Sequence, residues 1–402
     1  MPFENFISLG HIFGAKKTGK REQMMFITGI GRTKFGILDK SLPEMLYEAM
    51  LKTLQDSPLT IEDIDAVIVS NFLAGPTTGQ LHLGSLVTSL LPGTDLTAFR
   101  VEAACASGGT AVYMAGSLLR DFENILVLGG EKLNGLMNKK IYKNIAMAGD
   151  LLRDQKEGLI FPAQYALIAA KYLKKFGLPS KELSLVSAKN YFNASKNPLA
   201  HFNFRDLTPD AICSSPDICH PLKLFDCCPI SDGAAGLIVS RNRLSKRDIE
   251  ILGRGAGTDA ISLSHRKDFT GFCAARTAAR RAYDVAGIEP ADIDLAEVHD
   301  CFSIAEVIAM EDLGFCKKGQ GMDLIRSGET SMSGRIPVNT DGGLLADGHP
   351  MGATGIAQIC EIVTQLRGDA GERQVSHPEI GLSHNVGGVG GTAVVHVMRR
   401  CT

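Results

Sequence analysis

The 402 residues include no tryptophan, and aromatic side chains make up only 6% of them, so a chain that is 45% hydrophobic must build its core largely from aliphatic and small side chains. No apolar run is long enough to span a bilayer. The start shows no basic n-region, apolar h-region and small-residue cleavage site in succession, so a secretory route is not expected. The last residues, Arg400-Cys401-Thr402, are not a peroxisomal tripeptide. Neither sign of charge dominates, with 42 basic against 44 acidic side chains and a net charge of −2, which offers no overall attraction to nucleic acid or an anionic membrane. Ten cysteines occur without paired C-x-x-C knuckles. In an enzyme-sized chain that pattern argues for reduced thiols and a cytoplasmic location rather than a disulfide framework. The grouping of Cys213, Cys219, His220, Cys227 and Cys228 is read as small, half-buried thiols, and no metal is expected.

What the chain does have is a repeat of itself. Asp63-Ile64-Asp65 followed by the strand-like Ala66-Val67-Ile68-Val69 answers Asp292-Ile293-Asp294 followed by Leu295-Ala296-Glu297-Val298. A long helical segment beginning Ala106-Ser107-Gly108 and ending Leu119-Arg120 parallels one beginning Ala353-Thr354-Gly355 and ending Leu366-Arg367. Val112, Ala115, Leu118 and Leu119 recur at helical spacing, as do Ile359, Ile362, Val363 and Leu366. Behind a glycine, the run Gly233 to Val239 matches Gly391 to Val397. The spacing between partners drops before the third pair, so the first copy carries an insertion. The organisation expected is an N-terminal extension over 1–24, a first half over 25–131 plus 222–245, an inserted loop domain over 132–221, and a second half over 246–402. Alternating strands and helices in each copy predict two layered α/β halves with helices on mixed sheets, the insertion covering one face of the pair.

Four segments carry chemistry. Cys105 stands where a strand-like run ends and a small-residue helix begins, in Ala104-Cys105-Ala106-Ser107-Gly108. A helix start lowers a thiol pKa and offers free N–H groups to an oxyanion, although a buried structural cysteine would use the same glycines. The equivalent point of the second copy reads Gly348-His349-Pro350-Met351-Gly352, so a symmetric packing of the halves brings His349 to Cys105, where an imidazole can take the thiol proton. His299-Asp300-Cys301-Phe302 ends a predicted strand with an imidazole and a thiol two residues apart. Finally, Ser383-His384-Asn385-Val386-Gly387-Gly388 leads through glycines into a strand. That order is not the strand-to-helix glycine motif of dinucleotide binding.

Together these four motifs, in this order and spanning residue 25 to the end, resemble a thiolase of the sterol-carrier-protein type, free-standing and similar to acetyl-CoA acetyltransferase-like members. The resemblance implies the thiolase-like α/β fold, two duplicated halves layered αβαβα with an inserted loop domain. It implies an acyl-CoA acyltransferase, catalysing Claisen condensation of acyl-CoAs or thiolysis of a 3-ketoacyl-CoA through an acyl-cysteine. Most thiolases carry Asn-Glu-Ala-Phe in place of His299-Asp300-Cys301-Phe302 and a Cys-x-Gly in place of His384-Asn385-Val386. By the resemblance, Cys105 is the nucleophile, Cys301 inherits the acid/base role, and His299 and His349 flank the thioester oxygen. His384 occupies the vacated thiol position as a site residue or a prop.

Coenzyme A and acyl-CoA enter as substrates, with no resident cofactor. The family resemblance also implies a homodimer or homotetramer, and for some relatives a small zinc-ribbon/OB-fold partner protein. Two other readings share the motifs: a ketoacyl-synthase-like condensing enzyme acting on a carrier protein, and a non-catalytic scaffold that binds acyl-CoA. The thiol in the tetrad weighs against the first, and the intact Cys105, Cys301 and His349 against the second.

Overall fold

The repeat read from the sequence folds as a repeat. In the computed structural model, which describes residues 24–91 and 93–401, eleven strands form: β1 Phe26–Arg32, β2 Ala66–Ser70, β3 Thr97–Val101, β4 Asn124–Glu131, β5 Asp217–Cys219, β6 Leu222–Lys223, β7 Gly233–Ser240, β8 Ile249–Thr258, β9 Leu295–Glu297, β10 Ile380–Gly387 and β11 Thr392–Arg400. All but Met24 of the expected N-terminal extension lies outside the described residues. In the first copy β3, β2 and β4 run parallel, and β7 then β1 pair antiparallel beyond them. The second copy repeats this order, with β9 parallel to β10, then β11 and β8 antiparallel. Its outermost strand is reduced to one parallel bridge between Ala296 and Val338.

The sheets of the two halves meet edge to edge. Short pairing of Phe26 with Glu250 and Ile27 with Ile249 links β1 to β8, so nine strands run continuously in the order β3-β2-β4-β7-β1-β8-β11-β10-β9. Each copy ends its ladder on a free backbone edge, and two such edges pair at little cost.

Between the half-sheets run two helices, Ser107–Leu118 and Met351–Arg367, which touch each other and strands of both halves. The second is buried almost all round, as a helix enclosed on every side must be. The helix Leu42–Gln55 covers the outer face of the first half, and Cys273–Ala286 that of the second, completing five layers. The insertion is largely helical. Its helix Phe161–Phe176 buries Phe161, Tyr165, Ile168, Ala169, Tyr172 and Leu173 along one stripe. That stripe packs with Phe272, Tyr283, Ile304 and Val307 of the second half, so a segment that leaves the first copy is anchored on the other.

The central helices cross where both begin. A Cβ on Gly108 would lie 2.9 Å from the Gly355 backbone nitrogen, and one on Gly355 would collide with the backbone nitrogen of Gly109. Hydrogen alone fits at this crossing. Gly355→Ala is expected to cost about 1–3 kcal/mol through overpacking, read as a lower thermal midpoint. A variant that melts with the parent would show that the crossing is looser than described.

Candidate active site

Crossing at their N-termini, the two central helices bring the chain segments ahead of them together. Ahead of Ser107–Leu118, Ala104 takes a positive φ of 52°. The Ser107 hydroxyl holds this turn by donating to the Ala104 carbonyl at 2.6 Å and accepting from the Ala103 N–H at 2.9 Å. The tight turn presents Cys105, half-buried, on the wall of a cavity of about 570 Å³. Its thiol is not the ready thiolate that a helix start suggests. Burial pushes its pKa up to about 12, with nearby Glu131 adding to the rise, while the Gly388 N–H and the cysteine's own amide pull the other way. The helix proper starts two residues later, at Ser107.

Cys105, His299 and His349 converge. One donor atom from each, the Cys105 sulfur and a ring nitrogen of either histidine, lies within 4.8 Å of the others. The two imidazoles meet edge to face with centroids 5.1 Å apart. Burial holds both rings below their ordinary pKa, His349 down to about 3, and His299 is lowered further by its neighbours His349 and His384. Both are neutral at physiological pH, so each has one N–H and one lone pair.

Their hydrogen bonds decide which nitrogen is which. The Asn385 carbonyl accepts from the Gly109 N–H at 3.1 Å, which fixes the amide orientation. Its Nδ2 therefore faces the Cys105 carbonyl at 3.1 Å and His299 Nδ1 at 3.2 Å. His299 Nδ1 accepts, and the proton sits on Nε2, which has no partner among the described residues. At His349, Nδ1 lies 2.8 Å from the Thr354 hydroxyl, which itself donates to the Pro350 carbonyl at 3.1 Å. With the hydroxyl proton so used, His349 Nδ1 donates and its unpartnered Nε2 keeps a lone pair. The pair thus offers one donor, from His299, and one base, from His349. The same three donors also resemble a zinc ligand set, but His299 would first have to lose the proton that Asn385 places on Nε2.

Cys301 lines the same cavity, so the two thiols and His349 expected to meet do share one space. Cys301 is buried, and burial raises its pKa well above the ordinary thiol range. The neighbouring Tyr165 hydroxyl opposes that rise, while its proton is donated to the Gly388 carbonyl at 3.0 Å. Phe302 stacks on the Tyr165 ring at 4.5 Å. Asp300, between the two site residues, turns away and accepts from the Leu344 N–H at 2.6 Å and from Asn190 Nδ2 at 2.7 Å, holding the segment that leads to His349.

His384, expected as a site residue or a prop, is buried on β10 close enough to His299 to lower its pKa; its own pKa is lowered to about 3 by burial, its ring nitrogens have no partner among the described residues, and like His299 it is not on the cavity wall. Side chains alternate along a strand, so His384 shares the face of Leu382 and Val386, and Asn385 is the residue that reaches Cys105 and His299. Strand alternation, legible in the sequence, puts His384 and Asn385 on opposite faces, and only the structure shows that the Asn385 face meets Cys105. Tyr165 carried no such signal, since nothing local ties residue 165 to residue 301.

A cluster of buried carboxylates anchors the loop bearing His349. The Arg32 guanidinium pairs with Asp347 at 2.8 Å, and Asp347 also accepts from Asn197 Nδ2 at 3.0 Å. Even so, burial pushes the Asp347 pKa up to about 7. Arg373 pairs with Glu361 at 2.8 Å. Glu297 accepts from the Thr340 N–H at 2.8 Å and lies beside Asp341 and Glu361. Burial first, then those two like charges, raise its pKa well above the usual carboxylate range, so it is the protonated member that donates to Asp341.

Comparison with known proteins agrees with this geometry. Residues 25–211 match the family model described as thiolase, N-terminal domain, and residues 255–400 the thiolase C-terminal domain-like model. The chain is 41% identical to an acetyl-CoA acetyltransferase of Methanothermobacter thermautotrophicus over 93% of its own length and 99% of that protein. It is 33% identical to human sterol carrier protein 2, covering 92% of this chain and 71% of that one. Among solved structures, the Ltp2-ChsH2(DUF35) aldolase superposes with a TM-score of 0.80 at 24% identity, over 95% of this chain and 99% of that chain. The acetyl-CoA acetyltransferase of Syntrophomonas wolfei gives 0.72 at 18% identity, over 94% and 100%.

Because Glu297 is protonated in the fold and ionised in the unfolded chain, its contribution to stability is present below about pH 4.5 and is lost as pH rises through its raised folded pKa. Glu297→Gln keeps the donor to Asp341 and the acceptor from Thr340 and removes that titration. Thermal melts from pH 5 to 9 are expected to show the parent losing stability towards high pH and the variant losing less, with the variant the more stable at about pH 8.5. A variant less stable there would contradict the assigned protonation.

Proposed function

This chain belongs to the thiolase family and is an acyl-CoA acyltransferase, and on that premise we propose that Cys105 is its nucleophile, His349 the base that frees it, His299 the oxyanion donor and Cys301 the second acid/base. The observation that carries this reading is the convergence of Cys105, His299 and His349 within 4.8 Å, with Cys105, His349 and Cys301 lining one cavity.

In thiolysis, His349 Nε2 accepts the Cys105 proton as the sulfur adds to the keto carbon of a 3-ketoacyl-CoA. The protonated ring then donates to the oxygen of the intermediate. The bond between the α-carbon and the former keto carbon breaks, acetyl-CoA leaves as its enolate with its thioester oxygen held by His299 Nε2–H, and the Cys301 thiol protonates that carbon. An acyl-Cys105 remains. Cys301, now a thiolate beside Tyr165, takes the thiol proton of coenzyme A, and the resulting thiolate removes the acyl group as its own thioester while the departing Cys105 sulfur takes back its proton from His349. Condensation is the same sequence reversed. The reaction written this way takes coenzyme A and acyl-CoA as substrates and calls for no resident cofactor or metal.

All ten cysteines are free, which supports the cytoplasm as the working compartment. None of the described helices is long and apolar enough to cross a membrane. Among the described residues β3 pairs only with β2 and has no partner on its other edge, which supports a homo-oligomer built by extending the sheet. The Ltp2-ChsH2(DUF35) aldolase, which shares this fold, joins its chain to a DUF35 protein by name, and this supports a small zinc-ribbon/OB-fold partner protein here.

Incubation with acetyl-CoA is expected to leave an acetyl group on Cys105, seen by peptide mass spectrometry. Its absence would remove the nucleophile. Cys301→Ala should still acetylate at Cys105 yet lose condensation and thiolysis by about a hundredfold or more, and full turnover would refute the second role. Asn385→Asp offers His299 an acceptor in place of a donor, so the ring takes the opposite tautomer and loses its donor to the substrate. The expected loss in kcat is about a hundredfold to a thousandfold with KM little changed, and an unaltered kcat would remove His299 from oxyanion binding.

A further inference from the structure

The cavity in front of the two thiols is far larger than the chemistry at its base requires. Its volume of about 570 Å³ falls in the range of sites that enclose drug-sized ligands, roughly 300–1,000 Å³, whereas an acetoacetyl group brings four carbons. Part of the space must admit the uncharged end of the coenzyme A arm. The remainder is lined by rings. Tyr191, Phe202 and Phe204 pack with their planes 20° to 30° apart and centroids 5.2–5.9 Å apart, and Phe225 meets Tyr191 edge-on at 5.4 Å. Locked against one another, these rings form a rigid wall that offers broad apolar faces to a flat or branched guest.

Among the described residues, no lysine, arginine, aspartate or glutamate lines this space. The imidazole of His201, which does, has its Nδ1 held by the Ser231 hydroxyl at 2.9 Å and its pKa lowered by burial, so it too is neutral. Towards solvent the same surface continues outward as Phe204, Leu224 and Ile218, which are 43%, 44% and 45% exposed. Apolar side chains left open at the rim of an apolar cavity mark a surface that a ligand covers.

We propose that the acyl group this protein transfers is bulky, uncharged and apolar, either ring-bearing or of about eight carbons or more, and that Tyr191, Phe202, Phe204 and Phe225 form the wall that selects it. The proposal rests on the acyl-transfer role of Cys105. It adds to that role a division of labour: the repeated halves supply the reacting groups, and the insertion with the short helical turn Leu224–Asp226 after it supplies the selection.

The test is thiolysis by the full-length protein of 3-ketoacyl-CoA substrates of four, eight and twelve carbons, of a phenyl-terminated analogue, and of an eight-carbon chain ending in a carboxylate. The expected result is a kcat/KM for the eight-carbon and phenyl substrates at least about tenfold above that for acetoacetyl-CoA, because each buried methylene contributes to binding. The carboxylate-ended chain should fall at least about tenfold below its uncharged counterpart. Leu224→Trp, at the exposed rim, should lower the ratio of eight-carbon to four-carbon turnover. A maximum at four carbons, or equal use of the carboxylate-ended chain, would overturn the proposal while leaving the acyltransferase intact. No turnover at any length and no acyl adduct on Cys105 would instead overturn the catalytic assignment beneath it.

Discussion

The close crossing of two helix N-termini is the contact on which the rest of this molecule depends. Gly108 and Gly109 meet Gly355 with room for nothing larger than hydrogen, and Asn385 is bonded into the same point through the Gly109 N–H. Cys105 stands three residues ahead of one side of that crossing and His349 six residues ahead of the other. Their meeting is therefore set by backbone contact rather than by flexible side chains, which is the kind of support a reacting pair needs if it is to be held in place without loss of entropy at each turnover. The same crossing explains why a repeated fold makes one site instead of two. Equivalent helix starts face each other across the pseudosymmetry, and the two copies have put different residues there.

Burial sets the electrostatic character of the site. Both imidazoles are neutral and both thiols are held protonated, because a charged group in this cavity loses its water without gaining a partner of opposite sign. The site stores no thiolate, so the proton must move as the bond forms. Orientation then matters more than charge. Asn385 and Thr354 assign opposite tautomers to two rings of the same chemistry, and through them one becomes a donor and the other a base. Charge lies deeper, in the carboxylate and arginine cluster under the His349 loop, where Arg32 and Arg373 balance part of it and proton uptake by Glu297 relieves more. The reacting groups rest on that charged floor without sharing its field directly.

The order in which residues follow one another was enough to reveal the duplication, the two halves, the insertion, and the four segments that carry Cys105, His299, Cys301 and His349. These features are local, since helical spacing, strand runs and glycine turns are written within a few residues. Three-dimensional packing decided the rest. It merged two half-sheets into one, anchored the insertion on the second half, set Asn385 against Cys105 and His299, and set Tyr165 against Cys301. It also reversed the expected ease of ionising Cys105, because a thiol pKa answers to how much water the folded chain removes. Which residues can react is a property of the chain. Which of them meet, in which tautomer and around what volume, depends on contacts between residues hundreds of positions apart, and no local pattern records those.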